Sequence, residues 1–208
     1  MKTIEIGRLL RASTRECVVG CQVDHASLVS FGDMLTIPIN AQEKIFGLIY
    51  DIHIDDDGLV RQLATASELP EEVILDNRQN RNVPVEMSVL FIGFVQDNHI
   101  SHLLPPHPPL SLDKIFTCDM VDLMRFTSSE QFGYLRHIIN RSEDLPIGDL
   151  LAAHLKQTAA AHQYSNQPEW IERALKEVIT MLRDDYSTLT SVLRALADAE
   201  LGIQPESK

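Results

Sequence analysis

The sequence predicts an α+β protein of two domains, a small antiparallel β-barrel at the N-terminus followed by a C-terminal α-helical bundle. Three observations support this prediction. Short β-branched and apolar runs, separated by turn-forming residues, dominate residues 1–126. Apolar residues recur at helical spacing across residues 127–208. A proline-rich strap at residues 103–110 lies close to the boundary between the two patterns.

Six runs in the first domain have the length and composition of β-strands. At this spacing they favour a closed or nearly closed antiparallel barrel. Four glycines lie in or near the runs, where small barrels need bulges or sharply coiled strands; the alternative is that these glycines mark the ends of strands. The glycines are Gly7, Gly20, Gly47 and Gly93, and the runs are Ile4 to Leu10, Glu16 to Val23, Met34 to Ile39, Ile45 to Ile54, Val83 to Val95 and Ile115 to Leu123.

Residues 68–80 interrupt the strand pattern and predict a helical excursion from the barrel. Ser67 has the character of a helix N-cap, and Pro70 suits the first helical turn. Glu71 and Glu72 would lie near the positive end of the helix dipole. The excursion is therefore expected to connect two barrel strands.

Four short helices are expected after Phe126, and their apolar stripes are interpreted as the core of a bundle. Two overlapping capping boxes, Thr127 to Glu130 and Ser128 to Gln131, predict the first helix start. Trp170 lies beside the third stripe, where it would either anchor the bundle to the barrel or form an exposed contact for a partner. The later helix starts are predicted at Asp144-Leu145-Pro146, Asn166-Gln167-Pro168-Glu169 and Ser187.

The chain is acidic, with 18 Lys and Arg against 30 Asp and Glu and a net charge of −12 at pH 7. Both domains share the excess, with 10 basic against 18 acidic residues up to residue 126 and 8 against 12 after it. Nucleic-acid-binding proteins gather cations on one face, so direct nucleic-acid binding is disfavoured. Arg8, Arg11 and Arg15 are the exception, because they would form either a local basic contact for a partner or a solvated strand edge.

The composition predicts a folded cytoplasmic protein that does not enter a membrane. The 44% hydrophobic and 23% charged residues are ordinary for a globular chain. The three cysteines cannot all pair within one chain, which suggests a reducing compartment. Charges near the start oppose a signal peptide, and the apolar run at residues 89–95 is too short to cross a bilayer.

Several segments of the first domain, between about Ile4 and Phe126, resemble the HAS barrel. This small β-barrel precedes the motor of HerA-type translocases and is related to the N-terminal barrel of ATP synthase subunits. The matching segments are Ile6-Gly7 followed by Ser13-Thr14, Phe31-Gly32-Asp33, Phe46-Gly47-Leu48-Ile49 and Val89-Leu90-Phe91-Ile92-Gly93. The resemblance implies a collar-like barrel that organises a ring and meets accessory proteins. It would normally imply an ATPase as well, but the sequence has no Gly-x-x-x-x-Gly-Lys-Ser/Thr loop to hold a phosphate.

No catalytic motif emerges from the sequence. A Gly-x-Ser-x-Gly elbow is lacking, so a serine hydrolase has no local support. Asp51, His53 and Asp55 alternate along a predicted strand and would present two carboxylates and an imidazole on one face, as a metal site requires. The alternative is a water-facing strand that ends in the turn at residues 55–58.

The leading functional hypothesis is therefore a non-catalytic binding or assembly module without a cofactor. The resemblance makes its partner a protein such as a HerA-like ATPase or a nuclease, and self-association into a homo-oligomer is a further expectation. One alternative is a metal-dependent hydrolase that uses Asp51, His53 and Asp55. The other is a nucleic-acid-processing accessory protein that acts through Arg8, Arg11 and Arg15.

Overall fold

A closed antiparallel barrel of six strands, accompanied by helices, gives the chain its α+β class. The structure is a computed structural model that describes residues 3–55, 58–66, 70–79 and 85–201. The strands are β1 (Glu5–Ala12), β2 (Glu16–Cys21), β3 (Met34–Pro38), β4 (Glu43–Ile54), β5 (Val85–Gln96), β6 (His99–Ser101) and β7 (Lys114–Thr117). The helices are α1 (Val23–Ala26), α2 (Leu59–Ala64), α3 (Glu71–Gln79), α4 (Met120–Ser128), α5 (Leu135–Ile139), α6 (Ile147–Tyr164), α7 (Trp170–Met181) and α8 (Tyr186–Asp198), with a 3₁₀ turn at Glu130–Phe132.

The barrel closes because β2 pairs with both β1 and β5. The order around the ring is β1, β2, β5, β4, β3, β7 and back to β1, and every pairing is antiparallel. The short strand β6, which the sequence did not predict, extends the sheet from β5. Ring closure removes most of the exposed strand edges that an open sheet would leave.

Three of the predicted glycine positions, Gly7, Gly47 and Gly93, lie at shifts in strand register. The pairing of β1 with β7 shifts between Glu5 and Gly7, and a Cβ atom on Gly7 would lie 2.4 Å from the Gly20 carbonyl oxygen. The pairing of β4 with β5 shifts at Gly47, where a Cβ atom would lie 2.3 Å from Val89 Cγ1. Close approach of the β2 backbone at Gly7 and of the Val89 side chain at Gly47 therefore leaves no room for a side chain at either position.

The middle of β4 and β5 is buried on both faces. Ile45 and Ile49 of β4 belong to the core inside the barrel. Phe46 and Leu48 lie on the outer face, where they join the core of the helices. The same division applies to β5, whose Val89 and Phe91 are in the inner core and whose Leu90 and Ile92 are in the outer core. The helices thus cover one side of the barrel and share an apolar core with it.

Helices α6, α7 and α8 supply most of the helical part of this outer core. α7 buries Ala174 and Val178, which lie on one helical face, and α8 buries Val192 and Leu196 at the same spacing. α6 has a wider buried face, and it packs closely on α8, where Gly148 would bring a Cβ atom to 3.3 Å from Ala195 Cβ. These helices begin within a few residues of the predicted starts.

The predicted strand Ile115 to Leu123 is wrong in its second half. β7 ends at Thr117, and α4 begins at Met120 behind the N-cap Asp119, whose carboxylate accepts a hydrogen bond from Asp122 N–H at 2.8 Å. The capping boxes predicted at Thr127 and Ser128 are wrong as well, because both residues end α4. The Thr127 hydroxyl donates to the Leu123 carbonyl at 2.8 Å. The proposed domain boundary after residue 126 therefore falls inside a helix.

The excursion between β4 and β5 contains α2 and α3. The bounds of α3, Glu71–Gln79, agree with the excursion predicted near residues 68–80, whereas α2 was not predicted. Ser67, the expected N-cap, lies outside the described residues. Of the helices that the structure describes, none is long and apolar enough to cross a membrane.

Candidate interaction site

The proline-rich strap is fixed to α5 at its first end. The carbonyl oxygen of His102 accepts a hydrogen bond from His137 Nε2 at 2.7 Å and another from the Arg136 guanidinium. The His102 ring is buried, and it contacts the Phe126 ring edge-on with 4.6 Å between centroids. Burial lowers the pKa of His137, so this histidine donates as a neutral ring at pH 7. These contacts therefore fix the start of the strap relative to α5.

The second end of the strap is fixed to β1. Leu112 N–H donates to the Leu9 carbonyl at 2.8 Å, and Leu9 N–H donates to the Asp113 carbonyl at 3.0 Å. The Asp113 carboxylate accepts from Leu110 N–H at 2.8 Å. Pro105 and Pro109 are buried between these ends, which gives the backbone of the strap a defined path.

Leu10, Leu110 and Leu112 are exposed apolar residues on adjacent backbone segments at this second end, and together they are here called the strap patch. Their side chains belong to neighbouring backbone segments, since the Ser111 hydroxyl donates to the Leu10 carbonyl at 3.4 Å. Leu110 is 74% exposed, Leu112 66% and Leu10 37%. Leu10 lies at a shift in the β1–β2 register, which adds one residue to β1 at this point.

Leu112 has a left-handed backbone conformation, with φ of 72°. This region is strained for a residue with a Cβ atom and costs about 1–2 kcal/mol. The bond to Leu9 holds the conformation, and Arg8 Nη1 donates to the Leu112 carbonyl at 3.3 Å. The fold therefore holds a bulky apolar residue in an unfavourable backbone state while its side chain remains in water.

Three ion pairs involve residues of the segments that carry the strap patch and of neighbouring strands. Glu5 contacts Lys114 Nζ at 2.7 Å and Arg8 Nη2 at 3.4 Å, and the hydrogen bond from Lys114 lowers the pKa of the Glu5 carboxyl. Arg11 pairs with Glu86 of β5 at 3.0 Å. The charged rim of the patch, defined as Glu5, Arg8, Arg11, Glu86, Asp113 and Lys114, therefore holds three cations and three anions.

The three predicted arginines do not gather into an unpaired basic surface. Arg8 and Arg11 are both exposed, but each contacts a carboxylate. Arg15 is exposed in the turn between β1 and β2, where its carbonyl accepts from Phe91 N–H at 2.9 Å. The arrangement gives little excess positive charge for phosphates.

The predicted metal ligands lie on an exposed strand end. His53 Nε2 is 2.9 Å from Asp55 Oδ1, and Asp51, His53 and Asp55 are all exposed. Within the described ranges, no group of three or more His, Cys, Asp or Glu side chains is placed to hold a metal ion. The neighbouring Asp56 and Asp57 lie outside those ranges.

Trp170 lies in the interior of the helical part. This placement does not agree with the interpretation of Trp170 as an exposed contact for a partner. It is 1% exposed, and its Nε1–H donates to the Thr127 carbonyl at 3.3 Å. Its ring stacks on His162 with 4.5 Å between centroids and meets Phe132 edge-on at 5.6 Å. The residue therefore anchors α7 to α6 and to the end of α4.

A buried polar chain joins the helices to the barrel. His154 Nδ1 is 3.3 Å from the Gly32 carbonyl, which can only accept, so Nδ1 carries the proton and Nε2 accepts from the Tyr134 hydroxyl at 3.1 Å. Burial lowers the pKa of His154 to about 4 and raises that of Tyr134. Both groups are thus neutral at pH 7, and their hydrogen bonds place α6 against the loop before β3.

The cysteines are also held in unreactive states. Burial raises the pKa of Cys17 to about 12 and that of Cys21 to about 11, and it raises the pKa of Cys118 as well. Only the thiolate is an effective nucleophile or metal ligand. These side chains therefore act as small apolar groups at pH 7.

Two surface features were not found from the sequence. The first is the strap patch, whose Leu110 and Leu112 directly follow the prolines but whose exposure is set by distant contacts with β1. The second is a groove of about 870 Å³ between the start of α6 and α8, where hydroxyl groups such as those of Ser187 and Ser191 lie near Arg194. No local motif marks the groove, since it forms only when the two helices pack.

Searches against models of protein families and against curated proteins gave no match for this chain.

Proposed function

We propose that this chain is a non-catalytic binding and assembly module that contacts a protein through the strap patch. The observation that carries the proposal is the exposure of Leu110 and Leu112 on a backbone that is fixed at both ends. Exposed apolar side chains favour association with another surface. A fixed backbone lowers the conformational entropy that such an association costs.

The state of the interior titratable groups supports a non-catalytic role. His154 and Tyr134 are bonded to each other and are neutral at pH 7, whereas a general acid or base works best with a pKa near the working pH. The thiols of Cys17 and Cys21 are shifted in the direction opposite to that of a nucleophilic cysteine. His154, Tyr134 and Cys21 have hydrogen-bond partners inside the fold that account for their burial.

The resemblance to the HAS barrel supports a more specific proposal. As an accessory subunit, the chain would dock on a HerA-like ATPase or on a nuclease of the same complex. Residues 1–126 and 127–208 are its two proposed units, and their common core implies that they act as one body. The free thiols of the three cysteines support the proposed cytoplasmic location.

Copurification from cell lysate tests the proposal. Tagged wild-type protein is compared with the double variant Leu110→Ser, Leu112→Ser, and bound proteins are identified by mass spectrometry. Leu193→Ser is the matched control, because Leu193 is an exposed leucine on α8. We expect the double variant alone to lose a bound protein, which would be an untagged copy of the chain, an ATPase or a nuclease. If wild type and double variant retain the same proteins, the patch is not the contact.

A further inference from the structure

We propose that the strap patch is the contact between two copies of this chain, which pack patch to patch about a two-fold axis. This proposal rests on the proposed function, because it names the occupant of the same patch. In a two-fold contact the same residues lie on both sides, so the surface must be complementary to itself. Leu10, Leu110 and Leu112 meet that requirement, since apolar side chains pack well against their own kind.

The charge balance of the rim favours a second copy. The whole chain has 18 cations and 30 anions, so two copies repel each other over most of their surface. The rim holds three of each sign, with Glu5 joined to Arg8 and Lys114, and Arg11 joined to Glu86. Two copies can therefore approach through this face without strong repulsion. A strongly acidic or strongly basic partner would gain little from it.

The backbone of Leu112 gives an independent reason to expect an occupant. The left-handed φ of 72° is unfavourable for leucine, and glycine or asparagine would adopt it more readily. Burial within one chain does not compensate, because the Leu112 side chain is 66% exposed. Contact with a second copy would bury that side chain and offset the backbone strain.

The mass of the full chain in solution tests the proposal directly. Sedimentation equilibrium over about 5 to about 500 µM covers the affinities expected of a small interface. We expect the mass of wild type to rise from one chain to two. Leu110→Ser combined with Leu112→Ser should weaken the dimer at least about tenfold, whereas Leu193→Ser should leave it unchanged. A wild-type chain that remains monomeric, or a dimer that the double variant retains, would overturn the proposal.

A second variant separates loss of contact from damage to the fold. Leu112→Gly removes the side chain and also relieves the backbone, so it should weaken the dimer while raising the free energy of unfolding of the monomer. The unfolding measurement uses a concentration at which wild type is monomeric. Lower stability of the glycine variant, or an unchanged dimer, would contradict the proposal. If wild type is monomeric but the lysate experiment still shows a protein lost with the patch variant, the proposed function stands and only the second copy is rejected.

Discussion

Arg141 Nη1 donates to the Glu16 carboxylate at 2.9 Å and thereby joins the turn after α5 to the first residue of β2. The same carboxylate accepts from the Tyr50 hydroxyl at 3.2 Å, and the Arg141 side chain is only 16% exposed. This is a partly buried contact between the helices and the barrel, and removing one partner of such a contact costs more than removing one partner of an exposed ion pair.

We expect Arg141→Gln to lower the free energy of unfolding by about 1–2 kcal/mol, because Glu16 and Tyr50 would then share a half-buried site without the cation. Urea denaturation followed by circular dichroism measures the change. Asp144→Asn is the control, since the Asp144 carboxylate also contacts Arg141, at 3.2 Å, but is 67% exposed. Its effect should stay below about 0.5 kcal/mol. Equal effects of the two substitutions would argue against a role for burial.

The buried His154 predicts a loss of stability in mild acid. An unfolded histidine protonates near pH 6.5, whereas His154 in the folded chain protonates near 4. Between these values the unfolded state binds more protons, so the free energy of unfolding falls as the pH falls, by about 1.4 kcal/mol per pH unit for one such group. His137 and His162, whose pKa values burial also lowers, add to the slope.

Urea denaturation at several pH values between about 7 and about 4.5 measures this slope. The variant His154→Gln should be less stable at pH 7, because the pair with Tyr134 is changed, but its stability should fall less steeply with acid. His137 and His162 are present in both proteins, so the difference in slope isolates His154. Parallel curves for the two proteins would contradict the assigned neutral state.

The stacked pair of Trp170 and His162 predicts a pH-dependent fluorescence signal. Trp170 is the single tryptophan of the chain, and its ring lies parallel to the imidazole within 6°. An imidazolium quenches indole emission more strongly than a neutral imidazole does. Burial lowers the pKa of His162, so quenching of the folded protein should begin at a lower pH than it does for an exposed histidine. A fluorescence titration checks this, and His162→Gln should abolish the step. Persistence of the step in that variant would assign it to another group.

The close approach of β1 and β2 at Gly7 predicts a large effect of one methyl group. We expect Gly7→Ala to lower the free energy of unfolding by about 2–4 kcal/mol, because the new Cβ atom would lie 2.4 Å from the Gly20 carbonyl oxygen. Gly148→Ala is the control, since its Cβ atom would lie 3.3 Å from a side-chain carbon of Ala195. There the gain in helix propensity offsets the tighter packing, and the net change should stay within about 1 kcal/mol. Thermal denaturation of both variants measures the difference, and similar melting temperatures would mean that the strands can separate at Gly7.

The barrel strands were predictable because their signals are local. β2 buries Cys17, Val19 and Cys21 in strict alternation, and turn residues separate it from β1. The error at Ile115 to Leu123 has an equally local origin, because apolar residues such as Val121 and Leu123 have no preference strong enough to separate strand from helix. The N-cap Asp119, three residues before Asp122, was the signal that would have placed α4.

The sequence shows the continuous apolar run of β5, but it does not show why the outward-facing residues of that strand are apolar. An outward-facing residue such as Leu90 or Ile92 could be apolar because a helix covers it or because a partner does, and only the assembled chain shows the helices there. The sequence did not predict the strap patch, because the exposure of a residue also depends on contacts that are distant along the chain. The exposure of Leu110 and Leu112 depends on contacts with β1, about a hundred residues earlier in the chain, and no local pattern encodes them.

The cover that the helices place over β4 and β5 has a consequence for biosynthesis. The barrel strands leave the ribosome before α6, α7 and α8 exist, so outward-facing residues such as Leu48, Leu90 and Ile92 lack part of their helical cover while the last third of the chain is still being translated. During that interval the nascent barrel exposes apolar side chains that the complete chain buries, and we expect ribosome-associated chaperones to bind this surface.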